Sequence, residues 1–240
     1  MATRTRHHLK ERIARLEHRY GRPVPPPADP FELVLLENCA YLVDDKRRAT
    51  VFRRLRRTVG TRPDAILRTP LPLLADVIRD GGMLPLRRAE KLHTAADLAL
   101  EVGVATLRRL VKRSPAEARK ILKRFPGIGD PGADKILLFC RGGLGLGPDS
   151  NALRVLVRLG YGRESSDYPR KYRSAVEASA PELPTDVSWL IRAHQLLRRH
   201  GQEVCKRARP LCDRCPLTSG CRWYLARAAQ SRPAGTLPGA

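Results

Sequence analysis

Four cysteines constrain this chain more than any other feature. Cys205, Cys212, Cys215 and Cys221 fall within seventeen residues, at the spacing C-x6-C-x2-C-x5-C. Four thiolates so close repel one another unless a metal centre neutralises them, so the spacing points to a metal ion or a metal–sulfur cluster. A structural zinc ion is the main alternative, but zinc sites commonly pair two short C-x2-4-C hooks, and only Cys212–Cys215 is such a hook. A coincidental grouping is the other. The first twenty residues carry charges with no apolar run behind them, so they do not read as a secretory signal, and Glu11 and Glu17 argue against an organellar transit peptide. No apolar stretch approaches the length of a membrane span. A reducing compartment is expected, where six cysteines do not form a disulfide framework. Cys39 and Cys140 lie in apolar runs and read as core.

The 240 residues hold 46 Lys and Arg against 24 Asp and Glu, a formal charge of +22 spread from Arg4 to Arg232. Such an excess repels itself unless an anionic partner or counterions absorb it. Nucleic acid and an anionic membrane surface are partners of that kind. The plain alternative is an arginine-rich composition with no partner behind it.

The patterning reads as helix almost throughout. Leu9, Ile13 and Leu16 recur at helical spacing in a segment ending near Gly21. The stiff stretch GRPVPPPADP follows, with Asp29 placed to cap a helix that holds Pro30 in its first turn. FELVLLENCAYLV is too apolar for a surface helix and belongs in the core. Further helices are expected over 46–59, 71–79, 87–102, 114–124 and 131–140, and from Asp149, Tyr168 and Thr185. CRGGLGLGPDS is a glycine-rich connection. No run alternates with period two, so few or no strands are expected, and residues 229–240 read as disordered.

One turn and two carboxylates carry chemistry. In ILKRFPGIGDPGADKILLF, Gly127 and Gly129 allow a tight hairpin with exposed backbone around Ile128, and Asp130 then Pro131 suit a helix cap and first turn. Exposed N–H groups at a helix start can hold a phosphate without reading sequence. An ordinary helix–turn–helix connection is the alternative. Asp149, twenty residues past Gly129, is placed to cap the helix that begins there. Glu37 lies inside an otherwise apolar helix, where an unpaired carboxylate is costly and its pKa rises, which suits a general acid. A pairing with a nearby arginine is the alternative reading.

Together these residues resemble the helix-hairpin-helix DNA glycosylase superfamily, in its endonuclease III and adenine glycosylase branches. The cysteine spacing matches the endonuclease III cluster loop cysteine for cysteine. PGIG matches the hairpin, an aspartate stands at the distance of Asp149, and GMLPLRRAEKL (82–92) is similar to the glycine-led segment before a long helix. The likeness runs from about Pro30 to Trp223. It implies an all-α fold of two helical lobes with a DNA cleft between them. One lobe would be a six-helix barrel over 33–143 with the hairpin at about 118–138; the other would combine 1–32 with 144–228 and carry a [4Fe–4S] cluster on Cys205, Cys212, Cys215 and Cys221. The implied activity is hydrolysis of the N-glycosidic bond of a damaged or mismatched base in double-stranded DNA. A monomer is expected, cytoplasmic and nucleoid-associated in a bacterium or nuclear in a eukaryote, with no membrane partner.

The resemblance also implies roles. Asp149 would stabilise the oxocarbenium-like cation that forms as the bond breaks. Glu37 falls where adenine and mismatch thymine glycosylases have a glutamate, and would act as acid or base. Asn151 would orient the aspartate. Gly127, Ile128, Gly129, Lys135 and Arg207 would contact DNA. Tyr41, Leu42 and Pro131 are candidates for the base pocket or for a wedge entering the helix. Bifunctional members carry a lysine two residues past the hairpin's last glycine, where this chain has Pro131, and read Asp-Thr-His where it has Asp149-Ser150-Asn151. Both differences point to a glycosylase that uses water and lacks lyase activity. The alternatives are a lyase acting through Lys135 or a remote amine, an inert binder of abasic or distorted DNA, and a redox-sensing DNA-binding regulator.

Overall fold

The computed structural model describes residues 9–230. The chain divides into two compact units, one running to Pro25 and resuming at Gly145, the other spanning Pro26–Leu144. The architecture is all-α, with no strand among the described residues.

Helix α1 (Leu9–Tyr20) opens the first unit and buries Leu9, Ile13 and Leu16, the three residues whose spacing marked it. The second unit holds α2 (Pro30–Cys39), α3 (Asp45–Thr58), α4 (Pro63–Arg68) and α5 (Leu71–Val77). It continues through α6 (Pro85–Val102), α7 (Val104–Arg113), α8 (Pro115–Leu122) and α9 (Asp130–Phe139). The chain then returns to the first unit with α10 (Ser150–Leu159), α11 (Tyr168–Ser179), α12 (Val187–Glu203) and α13 (Arg222–Gln230). Proline stands in the first turn of seven of these helices, where its missing N–H costs no hydrogen bond.

In the second unit α6 lies against α2, α4, α5 and α7. Its inner face is Ala89, Leu92, Ala95, Ala96 and Ala99, small enough for neighbouring helices to approach closely. Asp29 caps α2 as expected, accepting the Phe31 and Glu32 N–H groups at 3.0 and 2.9 Å. In the first unit α10 packs along α12, and α1 covers another part of α12. Each wholly buried leucine or isoleucine in these faces contributes about 2 kcal/mol through burial.

Three helices escape the sequence pattern. α4 has six residues and α13 buries none, so each carries little apolar period to detect, whereas α7 does carry one in Val104, Leu107, Leu110 and Val111. The apolar run from Phe31 is helical only to Cys39. Beyond it Tyr41 and Leu42 are exposed in a turn, not buried in the core. α13 takes in Ala229 and Gln230, the first two residues of the segment expected to be disordered; the remainder, 231–240, lies outside the described residues.

Candidate functional site

The hairpin joins α8 to α9. Gly127 makes the turn at φ +74°, and a Cβ there would stand 3.1 Å from Asn38 Oδ1. Asn38 is buried on α2, and its amide donates to the Val34 and Pro126 carbonyls, both at 2.9 Å. One side chain thus fastens the hairpin to α2. Gly127 and Gly129 are exposed, as expected. Ile128 is turned inward and buried, with its N–H bonded to the Phe125 carbonyl at 3.2 Å. This corrects its placement as a DNA contact: its side chain anchors the hairpin. The cap of α9 is Gly129, and Asp130 and Pro131 are its first two residues. Asp130 bonds Lys123 at 2.6 Å and Arg119 at 3.0 Å, and the Lys123 bond, with Arg119 beside it, holds its carboxyl below the usual range.

Lys135 needs a second correction. It lies on the inner face of α9, buried, with its ammonium 2.7 Å from Glu37 Oε2. A buried ammonium requires a carboxylate, which explains why it is not an exposed phosphate contact. Arg48 of α3 donates to the other carboxylate oxygen of Glu37 at 3.1 Å. Glu37 is therefore paired, as the arginine alternative had it, and is an anion between Arg48 and Lys135. Tyr41 and Leu42 follow α2 at 59% and 74% exposure, and Leu42 takes φ +56°. Pro131 is half-buried on the first turn of α9.

Asp149 is the N-cap of α10. One carboxylate oxygen accepts the N–H groups of Asn151 and Ala152 at 3.0 and 2.9 Å, and the other accepts from the Arg198 guanidinium of α12. The carboxylate thus sits on the positive end of a helix and against a cation, a setting of charge-assisted bonds. Burial, with the Asp149 charge adding to it, lifts the Tyr168 phenol above its ordinary value. Asn151 holds Asp149 through its backbone N–H. Its side-chain oxygen instead accepts from Arg154 at 2.9 Å, and Arg154 goes on to the Gly201 and Cys205 carbonyls at 2.6 and 2.8 Å.

The four cysteines of the sequence motif line one cavity, walled by Val204, Pro210, Leu211 and Trp223. Donors point at the sulfurs: the Leu217 N–H lies 3.4 Å from Cys215 Sγ, and Arg158 Nη1 lies 3.3 Å from Cys205 Sγ. Burial raises the thiols of Cys212, Cys215 and Cys221, with Cys215 pushed up to about 11 and the neighbouring sulfurs adding to the rise. Among the described residues, no group of three or more His, Cys, Asp or Glu is arranged to hold a metal ion. Cys39 and Cys140 are buried and free, their thiols pushed up to about 12, in keeping with core residues. Arg207 is exposed and shares a cavity along α10 with Arg158, Lys171 and Arg222.

Several partners are not legible from single-residue reading: Arg198 at Asp149, Arg48 at Glu37, and Met83 and Leu84, which are exposed in the loop next to Tyr41. Only three-dimensional proximity connects them to the motif residues.

No family model matches the chain. Over 201 residues it is 29% identical to an endonuclease III of Sulfolobus acidocaldarius, covering 81% of this chain and 82% of that one. It is 25% identical over 198 residues to a thymine-DNA glycosylase of Aeropyrum pernix, covering 82% and 84%. Among solved structures, an endonuclease III–DNA covalent intermediate aligns with a TM-score of 0.69 at 21% identity, over 92% of this chain and 97% of that one. A thermostable thymine-DNA glycosylase aligns at 0.67 and 17%, over 91% and 97%. Hairpin, cysteine loop, fold and sequence thus agree in their likeness to helix-hairpin-helix DNA glycosylases of the endonuclease III and thymine-DNA glycosylase kind.

Proposed function

We propose that the protein is a base-excision DNA glycosylase that releases a damaged or mismatched base by hydrolysis, without strand cleavage, and carries a [4Fe–4S] cluster. Asp149 carries this reading. A carboxylate fixed by two N–H groups and Arg198 can stabilise a cationic sugar without reorganising as the charge develops. The same bonds hold the carboxylate in place against attack on the sugar, so water is the nucleophile in this reading. Glu37, of the two roles expected for it, would act as the base that takes the proton given up by the attacking water, with Lys135 and Arg48 fixing its orientation. Pro131 stands where a Schiff-base lysine would be needed, which supports the monofunctional form.

The cysteine cavity supports the cluster. All four cysteines line one cavity, and their spacing has a single short hook where zinc sites commonly pair two, which favours a cluster over a zinc ion. Cys205, Cys212, Cys215 and Cys221 would hold it, and its part would be to order the loop that presents Arg207. Tyr41 and Leu42 would enter the base stack, and duplex DNA would be met by a monomer.

A second reading rests on the Lys135–Glu37 pair. It sets a primary amine four residues past Pro131, on the same face of α9, next to a carboxylate able to take its proton. That arrangement would give a lyase.

One experiment addresses both. Duplexes with uracil or thymine opposite guanine, adenine opposite oxidised guanine, hypoxanthine or alkylated purines are incubated with the protein, with and without hot alkali. Strand breaks only after alkali are expected. Breaks without alkali, with borohydride trapping that Lys135→Gln abolishes, would establish the second reading. Release from no duplex overturns both.

A further inference from the structure

We infer that Arg88 is a positioning residue: its guanidinium locks two loops together so that Leu42 and Leu84 stand out as a rigid apolar pair. Its part in base extrusion rests on the proposed function; the locking of the loops does not.

Arg88 lies on the first turn of α6 and is buried. A guanidinium has five N–H donors in a fixed plane, and here five backbone carbonyls receive them. Nε donates to Met83 at 3.0 Å; one terminal nitrogen serves Cys39 and, at 2.9 Å, Ile78; the other serves Gly82 at 2.8 Å and Arg79 at 3.3 Å. No acidic side chain pairs with it among the described residues. These carbonyls belong to the end of α2 and to the 78–83 segment, so a single charge stitches the two. The Tyr41 N–H adds a direct bond to the Gly81 carbonyl at 2.7 Å. The segments touch without room for side chains: a Cβ at Gly81 would stand 2.2 Å from the Cys39 carbonyl oxygen, and one at Gly82 would stand 2.2 Å from that of Tyr41.

The stitched loops present unusual residues. Leu42 and Leu84 are 74% and 64% exposed, and both adopt left-handed backbone, at φ +56° and +54°. Leucine rarely takes this conformation, and such strain persists only where the surroundings enforce it. Exposure and strain coincide at two positions on adjoining loops, beside exposed Tyr41 and Met83. On a chain of charge +22, an exposed apolar pair suits a partner that is anionic outside and apolar inside, the stacked bases of duplex DNA.

Arg88→Lys keeps the charge but offers three donors for five carbonyls. Hydrogen exchange on the protein alone should show the Tyr41 and Gly81 amides opening at least tenfold faster, both together, while the melting transition stays cooperative. With a duplex carrying 2-aminopurine beside a target base, the fluorescence gain on binding should fall several-fold, and affinity for undamaged duplex should hold. Leu84→Gly should lose the fluorescence gain with exchange unchanged, separating the prong from its lock. If Arg88→Lys leaves exchange at both loops unchanged, or loosens only one, the inference is overturned. If exchange rises at both but fluorescence is as in the parent, Arg88 does not serve extrusion. A parent protein that gives no fluorescence gain and no base release defeats the proposed function instead, and the exchange result is read independently.

Discussion

Asp149 has two duties in the proposed reading, capping α10 and stabilising a cation, and substitutions can separate them. Asp149→Asn keeps an oxygen for the Asn151 and Ala152 N–H groups but turns an NH2 toward Arg198, a donor against a donor. Asp149→Ser keeps a capping oxygen and removes the charge. Asp149→Ala removes both. Asn and Ser cap nearly as well as Asp, whereas Ala costs about 1 kcal/mol more. All three variants strip Arg198 of its carboxylate. Both side chains of that pair are about 15% exposed, at 14% and 16%, so the shared cost falls at or below the roughly 3 kcal/mol of a buried pair losing one member.

Thermal melts followed by circular dichroism should place Asn and Ser together and Ala below them by about 2–4 °C, the shift that 1 kcal/mol produces in a domain of this size. Single-turnover base release should tell a different story. Removing a fixed electrostatic stabiliser costs on the order of 10²–10³ in rate, so all three variants should fall by that factor while DNA affinity is kept. The ranking is what decides. If rates followed stability, with Asn and Ser near the parent and Ala alone slow, Asp149 would be a helix cap and nothing more.

Other expectations follow from single contacts. Lys135→Gln leaves Glu37 with Arg48 alone and should cost about 3 kcal/mol in denaturant unfolding, whereas a loss under 0.5 kcal/mol would mean that the buried pair is not formed in solution. Gly127→Ala forces a side chain into left-handed backbone toward Asn38 and should cost about 1–2 kcal/mol; a neutral result would require the hairpin to relax. Anaerobically prepared protein should be brown, absorb near 400 nm and hold iron, and Cys215→Ser should lose that iron while Cys39→Ala keeps it. Equal loss in both variants would undo the ligand assignment. Asp130 has a carboxyl held low by Lys123 and Arg119, so its stabilising contribution is present above the unfolded value near 3.9 and lost as pH falls through the folded one. Asp130→Asn should flatten the fall in Tm below pH 4, and an unaltered slope would remove that pair from the balance.

What was legible in the sequence was whatever depends on local periodicity and spacing. Leu9, Ile13 and Leu16 marked α1 because a helical face repeats every three or four residues. The four cysteines of the motif share one cavity because residues close in the chain are close in space as well. Pairings across long separations were not legible. Arg198 lies forty-nine residues from Asp149, and α12 holds other arginines with nothing to mark which one faces inward. The reading of Lys135 failed for the opposite reason. Its charge suggested an exposed contact, but at that register on α9 the side chain points into the unit toward Glu37, for which only an arginine partner was expected as the alternative. Leu42 is marked by its place just past α2, but Leu84 is not, because hydrophobicity alone predicts burial and its exposure is set by backbone conformation.

The two carboxylates share a design that bears on how so basic a chain hosts them. Each is answered within its own unit: Asp149 by Arg198 and the start of α10, Glu37 by Lys135 and Arg48. A free carboxylate facing a phosphate backbone would repel it, while an unpaired cation beside the sugar would oppose the charge that develops there. Pairing solves the first problem and leaves the anion oriented for the second. The excess of positive charge is then left to exposed side chains such as Arg207 and Arg222, which in the proposed reading would draw in the duplex without entering the chemistry. On this argument, neutralising surface arginines should lower affinity and its salt dependence together. The rate from the bound state should depend on the paired residues alone.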